Sequence, residues 1–357
     1  MGLVLISSER FAEHQTPPGH PERSERAVVM QQVAVWARGQ GLQVTAPHPV
    51  TTAQLARVHE PEYIGMIAET AGRAVAFDRD TYTSVESYGV ALLAAGAAVD
   101  AVERVFGSEP AEDRSSDGSN LRAVLAMVRP PGHHAERSRA MGFCLFNNVA
   151  VAAAHAHALG AARVAIVDFD VHHGNGTQHI FETDPDTLYI SLHQFPFYPG
   201  TGAADEIGRD RGRGFTVNLP LEAGSTDDDY RLAFAEIVLP VLREYAPEVL
   251  VVSAGFDAHE RDPLAGMRLT SGAFGAMTAE LREIAEEYCD GRLVLVTEGG
   301  YDLRALETSL QEVVHSLAGS TSSVTASRWV ATGGRSDRGR KAVAAARSAL
   351  ATFWRLG

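Results

Sequence analysis

The sequence predicts an α/β fold with a central, mostly parallel sheet covered by helices on both faces. Three observations carry this expectation. Short apolar runs bounded by turn residues recur at 3–6, 121–128, 163–167, 187–192, 215–219, 248–253 and 293–297, the pattern of buried strands. Helical stretches separate several of them, and strand–helix alternation implies parallel pairing. The distinctive polar motifs stand immediately after these runs, and such sheets bind ligands beyond the carboxyl ends of their strands.

In chain order, residues 3–6 form the first strand. Residues 14–23 are rich in Pro and His, and Pro17, Pro18 and Pro21 exclude a regular ladder, so this stretch is a loop. A helix is expected over 24–39, with Val28, Val33 and Trp36 near helical spacing, then a short strand around Val44. Thr51-Thr52-Ala53-Gln54 reads as a helix start, and Glu60-Pro61 restarts a helix with Pro at an early position. Residues 78–82 read as a polar turn. The small, Ala-rich residues 88–106 make a tightly packed helix. Residues 109–120, rich in Ser, Asp and Glu, read as an exposed, mobile insertion. A second Ala-rich helix is expected to open within 141–148 and run through Leu159, and another to cover 230–245. The basic, Ala-rich segment 335–347 reads as a surface helix.

Composition narrows the function classes. Hydrophobic residues are 45% and charged residues 21% of 357, with no internal repeat and no boundary-like shift, so one domain over residues 1–357 is expected. A net charge of −14 argues against a nucleic-acid-binding surface, which needs clustered Lys and Arg. No run is long enough for a membrane span, and residues 1–6 read as a strand rather than a signal peptide. Two cysteines, Cys144 and Cys289, exclude a disulfide framework and point to the cytoplasm.

The richest stretch is Asp168-Phe169-Asp170-Val171-His172-His173-Gly174-Asn175-Gly176. In an extended segment, residues two apart point to one side, so Asp168, Asp170 and His172 would converge at a strand end. Carboxylate and neutral imidazole both bind Zn²⁺. A hydrolytic site needs three protein ligands. Asp257 is the best third candidate because it ends a buried strand after Gly255, although a helix N-cap is the plainer reading of that residue alone. A neutral imidazole beside a metal can move a proton between water and a leaving amine, and His133-His134 follows a Pro-Pro-Gly turn beyond a strand. Asp168 and Asn175 are placed to orient that base. Tyr301, after Gly299-Gly300, can donate to an oxyanion. Phe143 and Tyr198 either wall a tunnel or sit in the core.

With these residues in place, the chain resembles the zinc-dependent histone deacetylase family, including its class II-like bacterial and acetylpolyamine amidohydrolase members. The motifs are Arg-Pro-Pro-Gly-His-His, Gly-Phe-Cys, Asp-Phe-Asp-Val-His-His-Gly-Asn-Gly, Phe-Tyr-Pro-Gly-Thr-Gly, Ser-Ala-Gly-Phe-Asp and Glu-Gly-Gly-Tyr, running from about residue 20 to Tyr301. The resemblance implies an arginase-like three-layer α/β sandwich around eight strands. It implies one Zn²⁺ on Asp170, His172 and Asp257, and His134 as general base and acid. His133, paired with Asp168, would be its electrostatic partner, and Tyr301 would polarise the acyl carbonyl. It also implies a structural K⁺ held by Asp168, Asp170, His172, Ser191 and Leu192. The tunnel would include Gly142, Phe143, Tyr198 and Leu264.

Asn175, where class I members carry Asp, and Glu298-Gly299-Gly300 before Tyr301 are class II-like. Leu264 stands where polyamine-selective relatives can carry an acidic gatekeeper, which favours an acylated lysine of a peptide or protein over a free polyamine. The expectation is therefore a deacetylase, with acetylpolyamine amidohydrolase as the alternative inside the class. A ureohydrolase-like Mn²⁺ enzyme would need a second set of carboxylates, which the sequence lacks. A non-catalytic acyl-lysine binder would not need a base. Zn²⁺ and Fe²⁺ both accept this ligand set, and a homo-oligomer stays open.

Overall fold

The computed structural model describes residues 2–107, 121–319, 329 and 336–356. Among the described residues there are ten strands: β1 (Leu3–Ile6), β2 (Gln43–Thr45), β3 (Val75–Ala76), β4 (Tyr82–Thr83), β5 (Arg122–Ala126), β6 (Val164–Asp168), β7 (Thr187–Gln194), β8 (Thr216–Leu221), β9 (Val249–Ala254) and β10 (Arg292–Thr297). Eight form one sheet in the order β2-β1-β5-β10-β9-β6-β7-β8, and β3 and β4 make a small antiparallel pair apart from it. Every pairing in the large sheet is parallel.

The strands read as unbroken apolar runs because both faces of the sheet are covered. Along β10, Leu293 and Leu295 enter one core while Val294 and Val296 enter the other. The first core contains residues of α1 (Glu25–Gly39), α9 (Ser271–Tyr288) and α10 (Leu303–Ala318). The second contains residues of α3 (Pro61–Ala68), α4 (Ser87–Phe106) and α5 (Asn148–Ala158). A short α2 (Thr52–Leu55) has a capping box between Thr51 and Gln54.

Several elements differ from expectation. α5 begins only at Asn148, the last residue of the stretch 141–148 expected to open it, because Gly142 (φ 57°) and Phe143 (φ 70°) are left-handed. The cap is Asn147, whose Oδ1 accepts the N–H of Ala150 at 2.9 Å. The helix expected over 230–245 divides into α7 (Asp227–Ala233), a π-turn at Phe234–Val238 and α8 (Leu239–Tyr245), taking α6 as Asn175–Phe181. Pro240 has no N–H to give the preceding turn, and the widened turn absorbs that loss. The C-terminal helix α11 (Asp337–Leu350) is not merely superficial, since Ala342, Val343, Ala346 and Leu350 join the first core. The insertion expected at 109–120 lies outside the described residues.

Candidate active site

Five adjacent strands, β5, β10, β9, β6 and β7, supply the site from their carboxyl ends. β5 leads to His133 and His134, β6 to Asp170 and His172, β7 to Tyr198, β9 to Asp257 and β10 to Tyr301. Motifs spread from His133 to Tyr301 thereby meet at one edge of the sheet.

Asp170, His172 and Asp257 are buried, and one ligand atom from each lies within 4.8 Å of the others. His172 Nδ1 is 3.2 Å from Asp170 Oδ1 and 3.2 Å from Asp257 Oδ2. Ligand atoms about 2.0–2.1 Å from a tetrahedral ion stand roughly 3.3 Å apart, so this spacing fits a metal. The remaining oxygens are held by main chain: Val171 N–H donates to Asp257 Oδ1 at 2.9 Å and Gly299 N–H to Asp170 Oδ2 at 2.8 Å. Asp257 Oδ2 is buried with no hydrogen bond, an arrangement that is costly unless a cation answers it. Burial disfavours a proton on His172, yet Asp170 and Asp257 push its pKa up to about 9; the pocket calls for positive charge. Two glycines make room for it. A Cβ at Gly255 would fall 2.1 Å from Asp170 Oδ2, and one at Gly299 2.1 Å from Asp257 Oδ2.

Asp168 departs from the expectation that it would point with Asp170 and His172. Regular strand ends at Asp168, and its Oδ2 accepts from His133 Nδ1 at 3.0 Å and from the Tyr189 hydroxyl at 3.0 Å. Its side chain is thus turned to His133 of the histidine pair. Ser191 is its register partner on β7, and Leu192 follows on the same strand. Of the candidate K⁺ residues, Asp168, Ser191 and Leu192 thereby meet where β6 ends.

His134 Nδ1 lies 2.8 Å from Asn175 Oδ1, while the amide of Asn175 donates to Glu136 Oε1 at 2.9 Å. With the amide so oriented, Nδ1 carries the proton and Nε2 keeps its lone pair. Burial, then the neighbouring His133, holds the His134 pKa well below the usual range. His133 is the reverse: burial opposes its charge, but Asp170 and Asp168 raise its pKa to about 10. The two rings stand 4.1 Å apart.

A narrow cavity of about 90 Å³ descends onto this cluster, lined by Gly142, Phe143, Tyr198, Leu264 and Tyr301 among others. All four expected tunnel residues line it. Phe143 meets Tyr301 edge-on at 5.8 Å, and Tyr198 meets His134 edge-on at 5.2 Å. Burial, then Asp257, holds the Tyr301 phenol protonated well above its ordinary pKa, so it is a donor. Asp80 also lines the cavity, although residues 78–82 had read only as a polar turn.

Sequence reasoning assigns no role to the residues beneath the site, although Arg129 heads the Arg-Pro-Pro-Gly-His-His motif. Glu22, Arg26 and Arg129 are wholly buried. Arg129 pairs with Glu22, and Arg26 Nη1 donates to Glu22 Oε1 at 2.9 Å. Arg26 Nε donates to the Gly300 carbonyl at 2.8 Å, and its guanidinium lies 5.0 Å from the Tyr301 ring centre. Arg26 of α1, anchored by Glu22, thus braces the loop carrying Tyr301. For Glu22 the only local sequence signal is charge placed among prolines.

The histone deacetylase domain family matches residues 20–317. The chain belongs to the histone deacetylase family. It is 39% identical over 318 residues to the chloroplastic histone deacetylase 10 of Oryza sativa, covering 85% of this chain and 70% of that one. It is 42% identical over 290 residues to a histone deacetylase-like amidohydrolase of Pseudomonas aeruginosa, covering 79% and 72%. The crystal structure of the HDA15 HD domain superposes with a TM-score of 0.87 at 36% identity, covering 99% of this chain and 95% of that one. This histone deacetylase-family chain therefore has the arginase-like α/β fold, and its family supports deacetylase activity.

Proposed function

We propose that this family member is a zinc-dependent amide hydrolase that removes acetyl, or another short acyl group, from lysine side chains of peptides or proteins. The observation that carries the reading is the narrow cavity that reaches His172, the innermost wall shared with the buried Asp170-His172-Asp257 cluster, with His134 and Tyr301 also on its walls. Zn²⁺ held by those three residues would supply Lewis acidity to a carbonyl and acidify a water. The aromatic walls hold the extended alkyl chain and exclude bulk water. The Tyr301 phenol donates to the acyl oxygen and to the oxyanion that follows. His134 Nε2 takes the proton of the attacking water and returns one to the leaving amine. His133, charged against Asp168, keeps its neighbour neutral. We place a structural K⁺ at Asp168, Asp170, His172, Ser191 and Leu192. Both cysteines are buried free thiols, which suits a reducing cytoplasm.

Acetylpolyamine is the competing substrate, and Leu264 in the wall offers its ammonium no partner charge. Metal analysis with turnover of an acetyl-lysine peptide and of acetylspermidine tests the proposal. Zinc near one per chain and faster peptide turnover is the expected result. Faster acetylspermidine turnover would move the protein to the polyamine class, and release from neither would leave an acyl-lysine binder.

A further inference from the structure

Glu298, the first residue of the Glu-Gly-Gly-Tyr motif, is wholly buried, and the catalytic scheme above gives it no part. Its Oε2 accepts two main-chain N–H groups from the loop beyond β5, Gly132 at 2.6 Å and His133 at 3.2 Å. Its Oε1 accepts the hydroxyl of Ser253, at the end of β9, at 3.1 Å. The Glu298 main chain is held as well: its N–H donates to the Ala254 carbonyl at 3.0 Å, and its carbonyl accepts from Arg26. One residue earlier, Thr297 Oγ1 accepts the Val128 N–H at 2.7 Å and donates to the Val128 carbonyl at 3.0 Å. The end of β10 therefore grips the His-His loop at Val128, Gly132 and His133. The Thr297 side chain makes the grip at Val128, and the Glu298 side chain, one residue nearer Tyr301, makes the grip at Gly132 and His133.

We propose that Glu298 is the positioning residue for the catalytic histidine pair, setting the main chain from which His133 reaches Asp168 and His134 reaches Asn175. This rests on the deacetylase reading of the site. The hydrogen bond falls on His133's own N–H, so movement of Glu298 moves the Cα atoms that carry both imidazoles. Asn148 packs closely against the loop, where a Cβ at Gly132 would lie 2.5 Å from its N, so the loop has no room on that side in which to find a new acceptor. Two buried N–H groups without an acceptor demand rearrangement. A displacement of about 1 Å at a catalytic base costs roughly 100-fold in rate.

The geometry separates acceptor from charge. Both N–H bonds end on one oxygen, so a glutamine can make them with its carbonyl oxygen while its amide donates to Ser253 Oγ. A leucine keeps the shape without the acceptor. An aspartate keeps the charge but withdraws it by about 1.5 Å.

The experiment measures kcat and KM for an acetyl-lysine peptide, metal content and Tm for metal-loaded wild type, Glu298→Gln, Glu298→Leu and Glu298→Asp. Hydrogen exchange at the Gly132 and His133 amides is followed by NMR. Glu298→Leu should lose about 100-fold in kcat with KM and metal content near wild type, while Glu298→Gln stays within about threefold. Wild-type kcat in Glu298→Leu would overturn the proposal. So would an equal loss in Glu298→Gln, which would assign the effect to charge. If Glu298→Leu fails to fold or to hold metal, Glu298→Asp decides by the same measure: reduced kcat supports the positioning role and wild-type kcat overturns it. A wild type that releases no acyl group from any acylated amine defeats the deacetylase reading alone. The exchange data then decide, with faster exchange in the leucine variant than in wild type and the glutamine variant supporting the clamp, and equal exchange refuting it.

Discussion

Asp262 accepts the main-chain N–H of Tyr301 at 2.7 Å through one oxygen and that of Leu264 at 3.0 Å through the other. One buried carboxylate thus ties the proposed carbonyl donor to the tunnel wall. Burial, then repulsion from Asp257, raises its pKa to about 7. Asp262→Ala leaves two N–H groups without their acceptor and frees both loops. The expected result is a kcat loss of about 10- to 100-fold, with narrower discrimination between acetyl-lysine and acetylspermidine because the Leu264 wall shifts. Steady-state kinetics on both substrates checks this, and unchanged selectivity would show that Leu264 is held by other contacts.

Tyr301→Phe removes only the phenolic oxygen. Phe143 still packs on the ring, and the Arg26 and Asp262 contacts to its loop persist. Turnover should fall about 100- to 1,000-fold, with metal content and Tm unchanged. A variant that keeps most of its activity would place the oxyanion donor elsewhere.

The sheet and the candidate site were legible because each has a local signature. A strand buried on both faces is a continuous apolar run, and the residues proposed to bind metal and move protons stand directly after such runs. What escaped notice depends on distance in sequence. Arg129 meets Glu22 across 107 positions, and Arg26 meets Gly300 across 274. No periodicity announces that an arginine will be buried by a loop so far away. Glu298 looked like a family marker until Gly132 and His133 came to rest on it. Asp168 misled by its spacing, because alternation predicts a common side only while the strand continues. Pro240 is different: it was visible and should have warned that one helix could not run from 230 to 245.

Asp257 Oδ2 carries a prediction about the metal. Because that oxygen is buried and accepts no hydrogen bond, with the His172 imidazole 3.2 Å away as its nearest charge partner, ion removal should destabilise the fold as well as stop turnover. Dialysis against a chelator should lower Tm and added Zn²⁺ restore it. Binding at 1,000 times Kd contributes about 4 kcal/mol. Asp257→Asn should bind the ion less well, so its Tm should respond far less to chelator or Zn²⁺. Equal responses in the variant and wild type would remove Asp257 from the ligand set.

The pH dependence of stability has a source away from the metal. His59 is buried, its Nε2 accepts the Asn147 N–H at 2.9 Å, and its Nδ1 lies 3.0 Å from the Glu136 carbonyl. Burial lowers its pKa to about 4, against the opposing pull of the Glu136 and Arg137 main chain. In the unfolded chain it titrates near the ordinary value of about 6.5. Between these two values the unfolded state binds more protons, so the contribution of His59 is fully present above pH ~6.5 and is lost as pH falls toward ~4. The full shift corresponds to about 3 kcal/mol. His59→Gln has no group that titrates in this window. Wild type should therefore be the more stable at pH 7, and its advantage should shrink steadily as the pH is lowered to 4. Denaturant unfolding of both proteins across that range measures it. Parallel stability curves would mean that His59 has the same pKa in the folded and unfolded chains.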